Sequence, residues 1–276
     1  KRSNCLSTQM IKKFIFFLFF SLLFSNENKY EINYSVLNDD TRPNHEKKQD
    51  SFRKALEVYS FLGIKEESRK LKQSDTLTFK VEWVDSLSLL LPCDGIPVPK
   101  RASRLPNAPR SYRNGIHRGI DFFANWGTPV KSVADGHVIR ADHNYLEVPA
   151  DFRVTLLSAT TKVGATPSDI FNSILLGKSV FLDHGFTLIP GFRVISIYAH
   201  LSSIEENISP GSFVKAGQLI GKSGNTGTKE STLGTKKESH LHWEMILQKN
   251  DEEIYLGKDI SNPLLYNTLK RIFSVK

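Results

Sequence analysis

Apolar residues are unevenly spread along this chain, and their spacing changes character several times. From Phe14 to Phe20 they run unbroken and continue through Leu22, Leu23 and Phe24, directly behind Lys12 and Lys13. That is the pattern of an export signal. The run is roughly half of the about 20 apolar residues that a membrane span requires, so residues 1–25 are expected to be cleaved near Ser25 and to leave no permanent span. Residues 1–9, ahead of Met10, read as an upstream extension outside the fold. Asn26 to Gln49 is polar, with little to bury, and reads as a flexible lead-in. From Asp50 the spacing turns helical, with Phe52, Ala55, Leu56, Tyr59 and Leu62 forming one stripe that stops at Gly63. A second short helix is expected from Ile64 to Lys72. Leu77, Phe79, Val81 and Trp83 then alternate with Thr78, Lys80 and Glu82, which predicts a half-buried strand. Residues 26–91 are therefore expected to form a small α+β N-terminal region.

Between 92 and 114 five prolines (Pro92, Pro97, Pro99, Pro106, Pro109) block helix continuation and central-strand pairing, so this stretch is expected to be a linker or strap. Over 115–265 short β-branched runs are separated by Gly127, Gly136, Gly185, Gly211, Gly217, Gly221, Gly224 and Gly227. Short strands with turn signals between them predict a mainly β, antiparallel architecture. One segment, 143–178, breaks the rhythm. Within it Thr166 is the expected N-cap of a short helix, with Pro167 at its first position, Asp169 three residues after the cap, and Gly177 as its stop. Residues 266–276 are left as a C-terminal tail.

Composition changes this picture little. With 39% hydrophobic and 24% charged residues, disorder throughout is excluded. Of the formal net charge of +8, four units come from Lys1, Arg2, Lys12 and Lys13, and removing the leading stretch leaves +4. No nucleic-acid partner is expected from that balance, while a modest basic excess suits an anionic polymer such as a cell wall. Cys5 lies ahead of the apolar run, so the mature chain would hold one thiol, Cys93, which excludes a disulfide framework.

The densest grouping of metal-capable side chains is His117-Arg-Gly-Ile-Asp121, taken together with His240-Leu-His242. Catalytic zinc takes three protein ligands and keeps a fourth position open. His117, Asp121 and one of His240 and His242 would supply that count. Residues two apart on a strand share a face, so both imidazoles can look into one groove.

Further along come FFANWGTPVKSVADGHVIRA, SVFLDHG, VISIYAHLSS, SPGSFVKAGQLIGKSGNTGT and SHLHWEMIL. In this order the motifs resemble the lysostaphin-like zinc endopeptidases that cut peptide cross-links of bacterial cell walls, peptidase family M23 with its LytM-type domain, from about Arg110 to Pro263. The resemblance implies a sandwich or barrel-like sheet domain of the duplicated hybrid motif type. It implies one Zn2+ held by His117, Asp121 and His242, with His200 of YAHLS and His240 as the non-ligand catalytic histidines. Tyr112 and Arg113, just ahead of the metal motif, are candidate groove residues for peptidoglycan peptides. The 143–178 insertion and the loop between Gly227 and His240 are both longer than that family pattern. His137, His143 and His184 read as structural. The alternatives are a non-catalytic wall-binding or hydrolase-activating relative, a kind that loses zinc ligands which this chain retains, or a phosphocarrier or lipoyl-like module, which does not call for the HLH pair.

Overall fold

Strands carry the fold, and the larger of its sheets is organised on one long strand near the C-terminal end. The computed structural model describes residues 77–164 and 166–274, all within the unit Thr41–Lys276. The export signal, the polar lead-in and the two N-terminal helices expected from the sequence lie outside the described residues.

The strand expected across Leu77 to Trp83 is not one. The chain is extended to Lys80 and then winds into a 3-10 helix, Val81–Val84. Its alternation is real, since Phe79 and Val84 are buried while Thr78, Lys80 and Glu82 are exposed. What it lacks is a neighbouring strand, and it packs through rings instead, Phe79 edge-on to Trp83 at 5.8 Å and Trp83 against Phe192 at 4.6 Å. The proline-rich stretch delivers Cys93, Val98, Leu105 and Ala108 into buried positions.

A two-stranded ladder follows, β1 (Pro109–Arg110) with β2 (Gly115–Ile116), and leads into β3 (Ile120–Phe122), β4 (Pro129–Lys131) and β5 (Gly136–Ala141). The insertion then contributes α1 (Ala150–Val163) and α2 (Ser168–Ile170), which continues as a π-helical turn over Phe171–Leu175. After it come β6 (Val180–Asp183), β7 (Arg193–Ala199), β8 (Leu201–Ile204), β9 (Phe213–Val214), β10 (Leu219–Ser223) and a short α3 (Lys229–Thr232). The described chain closes with β11 (Leu241–Lys249), β12 (Glu252–Tyr255) and α4 (Leu264–Ile272). The larger sheet runs β12-β11-β7-β6-β5-β9 with β3 also on β11, the smaller runs β4-β10-β8, and every ladder is antiparallel. The protein is thus mainly antiparallel β.

β11 explains why the site is where it is. Leu241, Trp243, Met245 and Leu247 are all within 1% of fully buried and face the core, so His240, His242 and Glu244 share the opposite face. The stretch 266–276, expected as a tail, belongs to α4 as far as Ile272: Leu265, Leu269 and Ile272 form its buried stripe. The following Phe273 meets Phe122 edge-on at 5.6 Å and Trp243 at 5.1 Å. The C-terminal helix and its cap therefore brace the core side of the two strands whose other sides carry Asp121 and His242. Burying each such large side chain contributes about 1.5–3 kcal/mol.

The insertion has a core of its own, formed by Val148, Phe152, Leu156, Leu157, Ile170, Ile174 and Leu175. Leu176 instead packs on the outer face of the sheet with Ile195, Ile197 and Ile246, and Phe171 touches both groups. Thr166 does not cap the second helix as expected. Its hydroxyl donates to the Arg113 carbonyl at 3.0 Å, and the helix starts after Pro167 without a side-chain cap.

Candidate functional site

His242 is paired in register with Asp121 on β3 and with Ala199 on β7. One strand position thus brings together the metal-capable motif, the HLH pair and the end of the strand that precedes His200. β3 can lie that close only because Gly119 has no side chain: a Cβ there would sit 2.4 Å from the Trp243 carbonyl oxygen and 3.0 Å from the His242 ring.

Three donor atoms meet in a triangle. His117 Nε2 is 2.9 Å from Asp121 Oδ1 and 3.0 Å from His242 Nδ1, and His242 Nδ1 is 2.8 Å from Asp121 Oδ1. All three residues are buried. The opposite ring nitrogens are already committed, His117 Nδ1–H donating to the Leu105 carbonyl at 2.9 Å and His242 Nε2–H to Glu244 Oε1 at 2.8 Å. With those protons placed outward, two imidazole lone pairs and a carboxylate oxygen face one another. That arrangement is repulsive by itself and is relieved by a cation, and two nitrogens with one carboxylate oxygen form a donor set of the kind found in catalytic zinc sites.

The electrostatics point the same way. Burial alone would raise the Asp121 carboxyl, but His117 and His242 hold it well below the usual range. For His242 burial opposes the charge, yet its hydrogen bonds to the Asp121 and Glu244 carboxylates outweigh it and lift the imidazole to about 9. The pocket between these carboxylates is built for a positive charge, whether proton or metal ion. Glu244 is fully buried and is compensated by Arg118 Nη2 at 3.1 Å from its Oε2, an ion pair without hydrogen-bond alignment.

The other two site histidines stand beside this triangle. His200 lies at the corner where the chain leaves β7 for β8, at φ 60°, a left-handed conformation that costs a non-glycine residue on the order of 1 kcal/mol. It is held there by its own N–H on the Leu176 carbonyl at 2.9 Å and by Nδ1–H on the Thr226 carbonyl at 2.7 Å. His240 is fixed by a bridge to Gly224 and donates Nδ1–H to the Glu238 carbonyl at 2.8 Å. Its Nε2 stands 3.7 Å from Asp121 Oδ1. The His200 ring is 4.8 Å from that of His240 and 5.6 Å from that of His242. In both residues burial is the main cause that pushes the imidazole below its ordinary value, strongly so in His200. Both rings are therefore neutral beside the triangle, and His240 turns its Nε2 toward Asp121.

Of the two expected groove residues, Tyr112 is exposed, but Arg113 is buried. The Arg113 guanidinium donates to the Ile116 carbonyl at 2.8 Å and lies over the Phe171 ring at 4.9 Å, so it serves as a strut between β2 and the insertion. The cation that does reach the site is Arg110, with Nη2 3.1 Å from Asp121 Oδ2. Arg104, stacked over Phe123 at 4.1 Å, is close enough for its charge to bear on His240. Glu244 could have been found from the sequence, because it follows His242 by two residues on the same strand face. Arg110 has no such signal. Among the remaining described histidines, His184 holds the Asp135 carbonyl and Ser196, His143 holds the Ile208 carbonyl, and His137 stacks edge-on with Phe213.

Comparison with known proteins gives matches over part of the chain. The model for peptidase family M23 matches residues 158–254. Lysostaphin of Staphylococcus staphylolyticus is 29% identical over 140 residues, half of this chain but 20% of its own length. The glycyl-glycine endopeptidase ALE-1 of Staphylococcus capitis is 28% identical over 136 residues, 49% of this chain and 26% of its own. The chain thus spans about a fifth to a quarter of the curated relatives it matches. The solved catalytic domain of lysostaphin from Staphylococcus simulans is 23% identical, covering 63% of this chain and 91% of that one, with a TM-score of 0.30. Residues 158–254 thus match the model of peptidase family M23, and the chain is similar over about half its length to lysostaphin and to the endopeptidase ALE-1.

Proposed function

We propose that the protein is an exported zinc endopeptidase that hydrolyses peptide cross-links of bacterial peptidoglycan. The observation that carries this reading is the triangle of His117 Nε2, Asp121 Oδ1 and His242 Nδ1 with two further neutral imidazoles beside it. Bound there, zinc would supply a Lewis acid for the scissile carbonyl and an acidified water at neutral pH.

The remaining chemistry belongs to the chain. Because the Glu238 and Thr226 carbonyls can only accept, both His240 and His200 must carry their proton on Nδ1 and present a bare Nε2. His240, whose Nε2 is near Asp121, takes the proton of the attacking water. His200 can steady a developing oxyanion only after it has gained a proton, so the two rings act as a proton-sharing pair that delivers a proton to the leaving amine. Glu244 and Leu105 keep the ligand rings in the tautomers that leave their metal-facing nitrogens free.

The export part of the reading rests on the apolar run behind Lys12 and Lys13. N-terminal sequencing of the form made in a bacterial host should place the cut near Phe24 or Ser25, and an intact, membrane-extracted product would overturn it. The activity is tested by digesting purified peptidoglycan, glycine-bridged peptides and D-alanyl cross-linked peptides with the zinc-loaded protein and reading products by mass spectrometry. New amine and carboxyl termini that disappear with chelator and in His240→Ala support the endopeptidase. A protein that carries zinc yet opens no peptide bond is a binding or activating relative, and the proposal fails.

A further inference from the structure

We propose that Arg110 is a positioning residue for the metal ligand Asp121, locking that carboxylate into one-oxygen binding. The inference rests on the metal-site reading above and adds a residue that none of the sequence motifs contains.

The two oxygens of Asp121 have different surroundings. Oδ1 faces His117 Nε2 at 2.9 Å, His242 Nδ1 at 2.8 Å and His240 Nε2 at 3.7 Å. Oδ2 faces away from them and accepts from Arg110 Nη2 at 3.1 Å. A carboxylate without such a partner can swing to give both oxygens to one cation, which raises the coordination number and uses the position needed by water. An N–H held on Oδ2 opposes that swing, and its positive charge withdraws electron density from the ligand. Little of the Arg110 side chain, 16%, is exposed, so water competes weakly for the guanidinium.

Arg110 is also coupled to the first ligand through the backbone. It lies on β1, paired with Gly115 of β2, and β2 runs directly into His117. The ladder continues as His117 N–H on the Ala108 carbonyl at 2.9 Å and Asn107 N–H on the His117 carbonyl at 2.8 Å. One small hairpin therefore delivers a metal ligand from one strand and the clamp on the second ligand from the other.

The full-length protein, Arg110→Ala and Arg110→Lys are each stripped and titrated with Zn2+ against a chromophoric chelator, then with Co2+ while the visible absorption is followed. Arg110→Ala should bind zinc about 10–100-fold more weakly. Its Co2+ bands should lose intensity, as they do when four-coordinate cobalt gains a fifth ligand, and Arg110→Lys should recover part of both. A role confined to the β1–β2 hairpin would lower Tm and leave the cobalt bands at wild-type intensity, which would overturn the inference while leaving the metal site intact. Wild-type affinity in Arg110→Ala would overturn it equally. Failure of the wild-type protein to bind either ion would remove the metal site itself, and the inference with it.

Discussion

Asp121 and His242 stand directly opposite each other on β3 and β11, and their Oδ1 and Nδ1 atoms are 2.8 Å apart. Two motifs 121 residues apart in sequence are thereby fixed to each other by main-chain hydrogen bonds rather than by flexible loops. His117 completes the triangle from the β2 side. If only these three hold zinc, His117→Ala, Asp121→Ala and His242→Ala should each lose most of the metal by elemental analysis. His200→Ala and His240→Ala should keep it and lose about 10²–10⁴-fold in kcat/KM. Full zinc occupancy in His242→Ala would refute the ligand set.

The same strand pairing makes Gly119 a sensitive position. An added methyl group would meet the Trp243 carbonyl oxygen at 2.4 Å and Glu244 Cγ at 2.8 Å, and the strand backbone has no room to retreat. Gly119→Ala should cost about 1–3 kcal/mol of stability and reduce zinc affinity along with it. Calorimetry with a parallel zinc titration measures both, and unchanged values would mean that β3 is freer to shift than its pairing implies.

Metal-free His242 is held at about 9, since the Asp121 and Glu244 carboxylates outweigh the cost of burial. Its folded value exceeds the unfolded value of about 6.5, so the stabilisation is complete below that pH and is lost as pH rises through about 9. His117, His200 and His240 are shifted down mainly by burial, and their stabilisation falls away only on the acid side of about 6.5. The stripped protein should therefore lose Tm between about pH 6.5 and 9, while the zinc-loaded protein, in which the ion replaces the proton, should not. A flat profile for the stripped protein would show that the two carboxylates do not share a proton with His242.

Much of the site was legible because its chemistry is concentrated in short motifs on strands, where a period of two fixes which side chains share a face. His240, His242 and Glu244 follow that rule. The misreadings occur where tertiary packing decides. Leu77 to Trp83 has the alternation of a strand, but it pairs with no described strand, and a 3-10 turn with ring stacking takes its place. α1 was missed because its buried stripe of Phe152, Leu156, Leu157 and Thr160 includes a polar member and is diluted by β-branched Val154, Thr155 and Thr161. Arg113 looked available beside the metal motif, yet Arg110, three residues earlier on β1, is the one that reaches Asp121. Spacing along a bent hairpin does not reveal which arginine turns inward.

Cys93 is buried, and desolvation raises its thiol to about 12. Because the thiolate is the reactive form, alkylation at pH 8 should be at least about a hundredfold slower in the folded protein than in denaturant. Rapid labelling under native conditions would mean that the proline-rich stretch opens readily.

The insertion 143–178 should govern what enters the groove without helping to hold zinc. None of its residues belongs to the donor triangle, yet it is hydrogen-bonded to the segments on either side of it. On one side Asn114 Nδ2 donates to the Gly164 carbonyl at 2.8 Å and Thr166 to that of Arg113. On the other, Glu147 Oε2 accepts from Gly227 N–H at 3.0 Å and from Ser231 Oγ at 2.5 Å, linking the insertion to the long loop ahead of HLH. Its end is pressed against Thr226, where Gly177 at φ 64° leaves no space for a Cβ, and Thr226 in turn holds His200. A deletion must therefore stop short of Leu176, whose carbonyl also supports His200. Replacing residues 150–164 by a tight turn should leave zinc content unchanged but alter kcat/KM or the set of wall peptides cut. Glu147→Gln, which weakens charge-assisted bonds each contributing about 1.5–3 kcal/mol, should raise KM several-fold with kcat nearly constant. If both variants cut the same peptides at the wild-type rate, the insertion only covers the outer sheet face through Leu176, and its links to the segments on either side are incidental.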